Sequence, residues 1–235
     1  MTSDLVFRGG GRERPLTVIR RAGARGLRLS VDPRDASVRL SLPPRAPLRP
    51  ALAWAITKRG WIEAELARMP VAQPIVPGMV FELAGASVRL DWSARHARTP
   101  QIVGGTLLVG GPIEQMPQRI LRYLQRAALQ TLETETRALA TAHGLPLGTV
   151  GVGDARTRWG SCASNGTIRY SWRLILAPAF VRRATVAHEV AHLVHMNHSP
   201  AFHALVRELF GSDPTPARRW LRTHGAGLYW FGRSG

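Results

Sequence analysis

One run of twelve residues constrains this chain more than any other: Ala187-His188-Glu189-Val190-Ala191-His192-Leu193-Val194-His195-Met196-Asn197-His198. His188 and His192 are four positions apart. On a helix such residues share one face, one about 6 Å above the other. Two imidazoles at that spacing can bind a single ion, and Glu189, one residue on, can reach a water on the same ion. The fold must therefore present this stretch as a helix with a partly polar face. It must also bring a further ligand to that face from elsewhere.

The His-Glu-x-x-His spacing is the one used by zinc metallopeptidases. A catalytic zinc usually takes three protein groups and keeps a fourth position open for water. His195 lies seven residues beyond His188, about 10.5 Å along a straight helix. With Zn–N bonds of about 2.1 Å, one ion cannot easily serve both ends of that span. His198 follows His192 by six residues, and Asn197 before it tolerates the left-handed turn that ends helices. Six is also the gap in the longer zincin pattern, although His195 stands where that pattern has glycine. His198 is the expected third ligand, and His195 is read as a helix-end group near the last carbonyls. His203 is the one residue placed to close the site as a fourth ligand; otherwise it packs in the following helix. Five of the eight histidines fall between His188 and His203, around one glutamate. Zn²⁺ is the expected cofactor. A purely structural zinc site normally closes all four positions and often uses cysteine. The only cysteine, Cys162, lies outside the motif.

Length and composition suit one large domain or two small ones: 235 residues, 45% hydrophobic and 20% charged, read as globular rather than disordered. No run of 18 or more apolar residues occurs, so no membrane span is expected. The first twenty residues lack an apolar signal core, and a lone cysteine suits a reducing compartment. A cytoplasmic protein is expected. The net charge is +17, and 31 of the 32 basic residues are arginine, Lys58 being the exception. Such a balance can attract nucleic acid or acidic substrates. The arginines are spread along the chain rather than gathered into one basic run, so only non-specific nucleic-acid contact is kept open.

The predicted class is α+β, with a β-rich N-terminal region over residues 1–111 and a compact zincin-like metallohydrolase domain over 112–235. Residues 1–13 read as a loose, glycine-rich tail. Alternating segments between Pro15 and Leu42 read as strands, broken at Asp32-Pro33-Arg34-Asp35. Leu52 to Ala67 reads as one helix, with Trp54 and Trp61 anchoring the sheet. Val80–Leu83, Val88–Trp92 and Leu107–Val109 are expected to complete that N-terminal sheet, and Gly110-Gly111-Pro112 is the candidate boundary. A long helix is predicted from Pro117 to His143, stopped by Gly144. Ser164-Asn165-Gly166 turns a hairpin within residues 156–172 that should lie beside the helix carrying His188. A helix from Pro200 to Phe210 follows, then a proline-punctuated tail. No internal repeat is evident.

Arg158-Trp159-Gly160-Ser161-Cys162, then Ile168, Leu174-Ile175, His188-Glu189-Val190-Ala191-His192 and Asn197-His198-Ser199-Pro200-Ala201-Phe202 together resemble the YgjP-like metallopeptidases. These are bacterial proteins similar to SprT-type zinc-dependent proteases. The resemblance runs from about Pro15 to Leu221 and is specific in its C-terminal part. It implies His188, His192 and His198 as ligands and Glu189 as general base. One departure is Ser171, where these proteins often have asparagine; it bears on a local hydrogen bond rather than on the metal.

The expected function is zinc-dependent hydrolysis of a peptide or protein substrate, with Glu189 moving the proton. Two alternatives stand beside it. One is metal-dependent hydrolysis of a nucleotide or other phosphate-bearing substrate, its phosphates held by arginines. The other is a nucleic-acid-associated binding module. Tyr170, His224 and Tyr229 are candidate oxyanion donors, and the strand edge of the 156–172 hairpin is a candidate peptide-binding edge. The sequence leaves the oligomeric state open.

Overall fold

The computed structural model describes residues 2–233. The chain forms two compact units, Met1–Val71 and Ala72–Gly235. The first contains β1 (Thr2–Gly9), β2 (Arg12–Arg20), β3 (Arg28–Val31), β4 (Val38–Leu42), α1 (Leu48–Thr57) and α2 (Arg59–Ala67). Its sheet runs β1-β2-β4-β3, with β2 and β4 parallel and the outer pairs antiparallel. The two-residue period of a strand places Val38, Leu40 and Leu42 in the core, and Arg39 and Ser41 on the other face.

Two expectations fail in this unit. Residue 1 lies outside the described residues, and residues 2–13 are not a loose tail but most of a β-hairpin. Gly10 and Gly11 turn it at φ 56° and 71°, a region glycine enters without strain. A Cβ on Gly9 would lie 2.3 Å from the Glu63 carbonyl oxygen, so that glycine serves a close backbone approach to α2. The expected single helix from Leu52 to Ala67 is two helices, divided at Lys58 (φ −98°, ψ 10°). Ala51, Ala55, Ile62 and Leu66 face inward, while Trp61 is 47% exposed and Trp54 only half-buried. Trp61 does not anchor the sheet.

The second unit contains β5 (Val80–Leu83), β6 (Ala86–Trp92), β7 (Gln101–Val103), β8 (Thr106–Val109), α3 (Met116–Ala142), β9 (Val150–Gly153), β10 (Gly160–Cys162), β11 (Ile168–Ser171), α4 (Ala179–Ala191), α5 (Pro200–Phe210) and α6 (Thr215–Leu228). Strands β5 to β8 do not complete the N-terminal sheet. They form their own sheet, β5-β6-β8-β7, and share one hydrophobic cluster with α3, α4 and α5. Gln73 joins the same unit: its N–H donates to Trp230 O at 3.0 Å, and its carbonyl accepts from Gly232 N at 2.8 Å. The units therefore part at 71/72, whereas the sequence reading divides the chain after residue 111.

Helix α3 buries Ile120, Leu124, Ala128, Leu132, Thr136 and Ala140, a four-residue stripe along its length. Thr136 Oγ1 lies 3.0 Å from the Tyr170 hydroxyl, tying α3 to β11. Gly144 follows the helix at φ 63°. The third sheet runs β10-β11-β9, so β10 is an edge strand. The expected tail after Phe210 is in fact helix α6, with a proline in its first turn, where a missing N–H costs nothing. Gly225 and Gly227 mask its pattern. A Cβ on Gly225 would lie 2.6 Å from the Trp159 ring, so this glycine lets α6 close on that indole. The α+β class holds. Among the described residues, no helix is long and apolar enough to cross a membrane.

Candidate metal centre

Helix α4 is apolar over most of its surface: Val181, Ala184, Val186, Ala187, Val190 and Ala191 are all buried. Besides the buried Arg182 and Thr185, polar residues gather at its last turn and cap. His188 is half-buried, Glu189 is 4% exposed, and His192 caps the helix at 9% exposed. The chain then turns: His195 N donates to Ala191 O at 3.0 Å. It next enters α5, whose N-cap Ser199 accepts from Phe202 N at 3.3 Å. Asn197 Oδ1 accepts from Ser199 N at 3.3 Å, which shapes the residue pair on either side of His198.

These turns bring His198 back to the helix. The ring nitrogens of His188, His192 and His198 lie within 4.8 Å of one another, and His198 Nε2 is 3.3 Å from His188 Nε2. His195 is not in that group; instead its carbonyl accepts from His192 Nδ1–H at 2.9 Å. This bond sets the tautomer and leaves the His192 Nε2 lone pair free, an arrangement typical of metal-ligating histidines. His203 stacks on His198 with ring centroids 6.3 Å apart and lies outside the cluster.

Beneath the three rings lies fully buried Phe202. Its centroid is 4.9 Å from His188, 4.4 Å from His192 and 4.8 Å from His198. The sequence reading assigned Phe202 no role. Its signal is an apolar residue three positions after the N-cap serine, in the first inward-facing turn of α5.

The donor set fits a divalent ion that prefers nitrogen. Two nitrogens bound tetrahedrally to one ion at about 2.1 Å stand about 3.4 Å apart, close to the observed 3.3 Å. Burial, reinforced by the neighbouring His192 and His198 and by Arg218, pushes the His188 pKa down to about 4. Burial likewise lowers His192. At neutral pH both rings are thus neutral and can donate lone pairs.

Glu189 faces β10. A Cβ on Gly160 would lie 2.4 Å from Glu189 Oε1, so only glycine leaves room for the carboxylate there. Burial raises the Glu189 pKa to about 7, with Arg158 pulling weakly the other way. Among the described residues no hydrogen bond or ion pair holds its carboxylate. Gly160 stands in a run that the sequence reading quoted only for resemblance; this close approach is its physical content.

None of the candidate oxyanion donors faces the cluster. Tyr170 is buried against Thr136, and Tyr229 OH donates to Ala155 O at 2.6 Å. His224 stacks on Trp220 with centroids 4.9 Å apart. Cys162 is raised by burial and, less, by Glu189, so it stays a thiol. Ser171 Oγ is buried without a hydrogen-bond partner among the described residues.

A helix end bearing two histidines and a buried glutamate, joined by an imidazole from the next loop and flanked by an edge strand, is a group that could hold a metal ion. The chain matches the YgjP-like, metallopeptidase domain family over residues 25–224 and belongs to that family. No curated protein and no solved structure matches it significantly.

Proposed function

We propose that the chain is a zinc-dependent peptidase in which His188, His192 and His198 hold the ion and Glu189 is the general base. The observation that carries this reading is the convergence of three histidine rings beside a buried carboxylate that no described residue holds by a hydrogen bond or ion pair. A zinc ion held there would supply Lewis acidity, acidifying a water and polarising the scissile carbonyl. Glu189, poised near pH 7, accepts the attacking water's proton and passes it to the leaving amine. Edge strand β10 has one unpaired side, against which an extended peptide can lie by strand addition. Gly160 within that strand touches Glu189, so a peptide bound there passes the base. The single thiol suits action in a reducing compartment such as the cytoplasm.

The test is metal content and turnover measured together. Purified protein should carry zinc and cleave members of a peptide panel, and Glu189→Gln should keep the zinc and lose the cleavage. Equal cleavage by that variant would end the reading. A second reading, hydrolysis of a phosphate-bearing substrate, is favoured by Arg158 and Arg218 bordering the cavity beside Glu189. A nucleoside triphosphate panel run beside the peptides separates the two.

A further inference from the structure

A cavity of about 250 Å³ opens beside His188 and Glu189, enclosed by α4, α5, α6 and the chain entering β10. It is smaller than the roughly 300–1,000 Å³ of whole small-molecule sites, so it suits one substituent of a larger substrate. Ala184, Val206 and Leu221 make its walls apolar, while Arg158 and Arg218 border it. Glu189 is the only carboxylate among the described lining residues.

The two guanidiniums, both exposed at the cavity's border, differ from the buried arginines of this unit. Arg173 is spent on Asp154 at 2.8 Å and on Leu228 O at 2.7 Å, and Arg182 on Glu135 at 2.8 Å. Among the described residues Arg158 makes no hydrogen bond or ion pair. Among the described residues the Arg218 guanidinium donates only to Thr215 Oγ1 at 3.2 Å, and Asp213, exposed, feels it only weakly. Two unspent cations against apolar walls favour an anion, because a charge-assisted bond gains strength as water is excluded.

We infer that this cavity is an oxyanion subsite: Arg158 and Arg218 receive a carboxylate or phosphate of the substrate next to the bond that is cleaved. The inference rests on the hydrolytic reading of the neighbouring centre but names the substrate chemistry that reading leaves open.

Binding to the zinc-loaded full chain tests it with matched probes. These are amidated peptides with Glu, Gln or Lys beside the central bond, the Gln peptide with a free C-terminal carboxylate, and a nucleoside triphosphate. At least one oxyanion probe should bind about tenfold or more tighter than its neutral match. The Arg158→Gln/Arg218→Gln double variant should abolish that preference, and Arg218→Glu should turn it towards the Lys peptide. Arg45→Gln/Arg49→Gln, an equal charge change elsewhere, should keep it, which separates the subsite from the +17 net charge. The preferred arm identifies the source of the oxyanion. Equal binding of neutral and anionic probes, or a preference that survives the double variant, overturns the inference. Cleavage without preference sinks the subsite alone. Preference without cleavage sinks the hydrolytic reading and leaves the subsite standing.

Discussion

The two units carry four-stranded sheets of the same design. In each, two hairpins meet along a parallel central pair, β2 with β4 and β6 with β8. Each also places a buried or half-buried acid near an arginine, with opposite results. In the first unit Asp32 accepts from Arg34 N at 3.0 Å and Arg34 Nε at 2.9 Å. Burial alone would raise this carboxyl, but those bonds and the charges of Arg34 and Arg39 outweigh it and hold it below its ordinary value. In the second unit burial acts on Glu189 with only Arg158 to oppose it, and the carboxyl rises to about 7. The same kind of residue thus locks a turn in one place and stays ready to move a proton in the other. What differs is hydrogen bonding to the charged form.

The contrast can be broken at several points. The largest effect is expected from Glu189→Gln, which should lower turnover by about 10²–10⁴-fold with zinc retained, measured by steady-state kinetics and metal analysis. His188→Ala or His192→Ala should reduce zinc well below the expected one equivalent or so per chain. His195→Ala should not, because that residue contributes a carbonyl rather than a ring. Gly160→Ala should displace the Glu189 carboxylate and slow turnover about ten- to a hundredfold while zinc stays bound.

Stability of the metal-free chain should show the opposite signs directly. Glu189 is raised from 4.5 to about 7, so the folded state keeps a proton that the unfolded state releases. Its penalty is absent below about pH 4.5, grows as pH rises, and is complete above about pH 7. Glu189→Gln should therefore stabilise the metal-free protein by about 2–3 kcal/mol at pH 8 and by little at pH 4, read from chemical denaturation. Asp32 is the reverse case: its stabilisation is present above its ordinary value of 3.8 and lost as pH falls through and below it. Asp32→Asn should cost about 0.5–1 kcal/mol at neutral pH, discounted for nearby solvent, with turnover unchanged.

What could be read in advance followed from local rules. The His-Glu-x-x-His helix, the Ser164-Asn165-Gly166 turn, α3 and α5 all announce themselves through spacing, caps and periodicity. The N-terminal hairpin was hidden because glycine looks alike in a tight turn, a close approach and a loose tail. Trp61 was misplaced because an apolar run offers more than one face that could turn inward, and Ala51, Ala55, Ile62 and Leu66 take that place. Helix α6 was missed because Gly225 lowers helix propensity, yet it is there to admit Trp159. At the centre, the histidines and the glutamate were legible because their chemistry depends on residue type. Gly160, Phe202 and the Arg158–Arg218 cavity depend on which distant segments meet, and spacing along one segment cannot report that.

Phe202 has a consequence for which ion the proposed centre would accept. Its ring touches all three imidazoles, and it is itself locked in the core at the start of α5. The angles among the imidazoles are therefore set by the folded chain before any ion arrives. A cation content with a pyramidal trio of nitrogens meets donors already aimed. One that demands a flat square of ligands would have to swing a ring through a packed phenyl group. Phenylalanine, which can bind no metal, would thereby act as a filter on coordination geometry at the proposed centre.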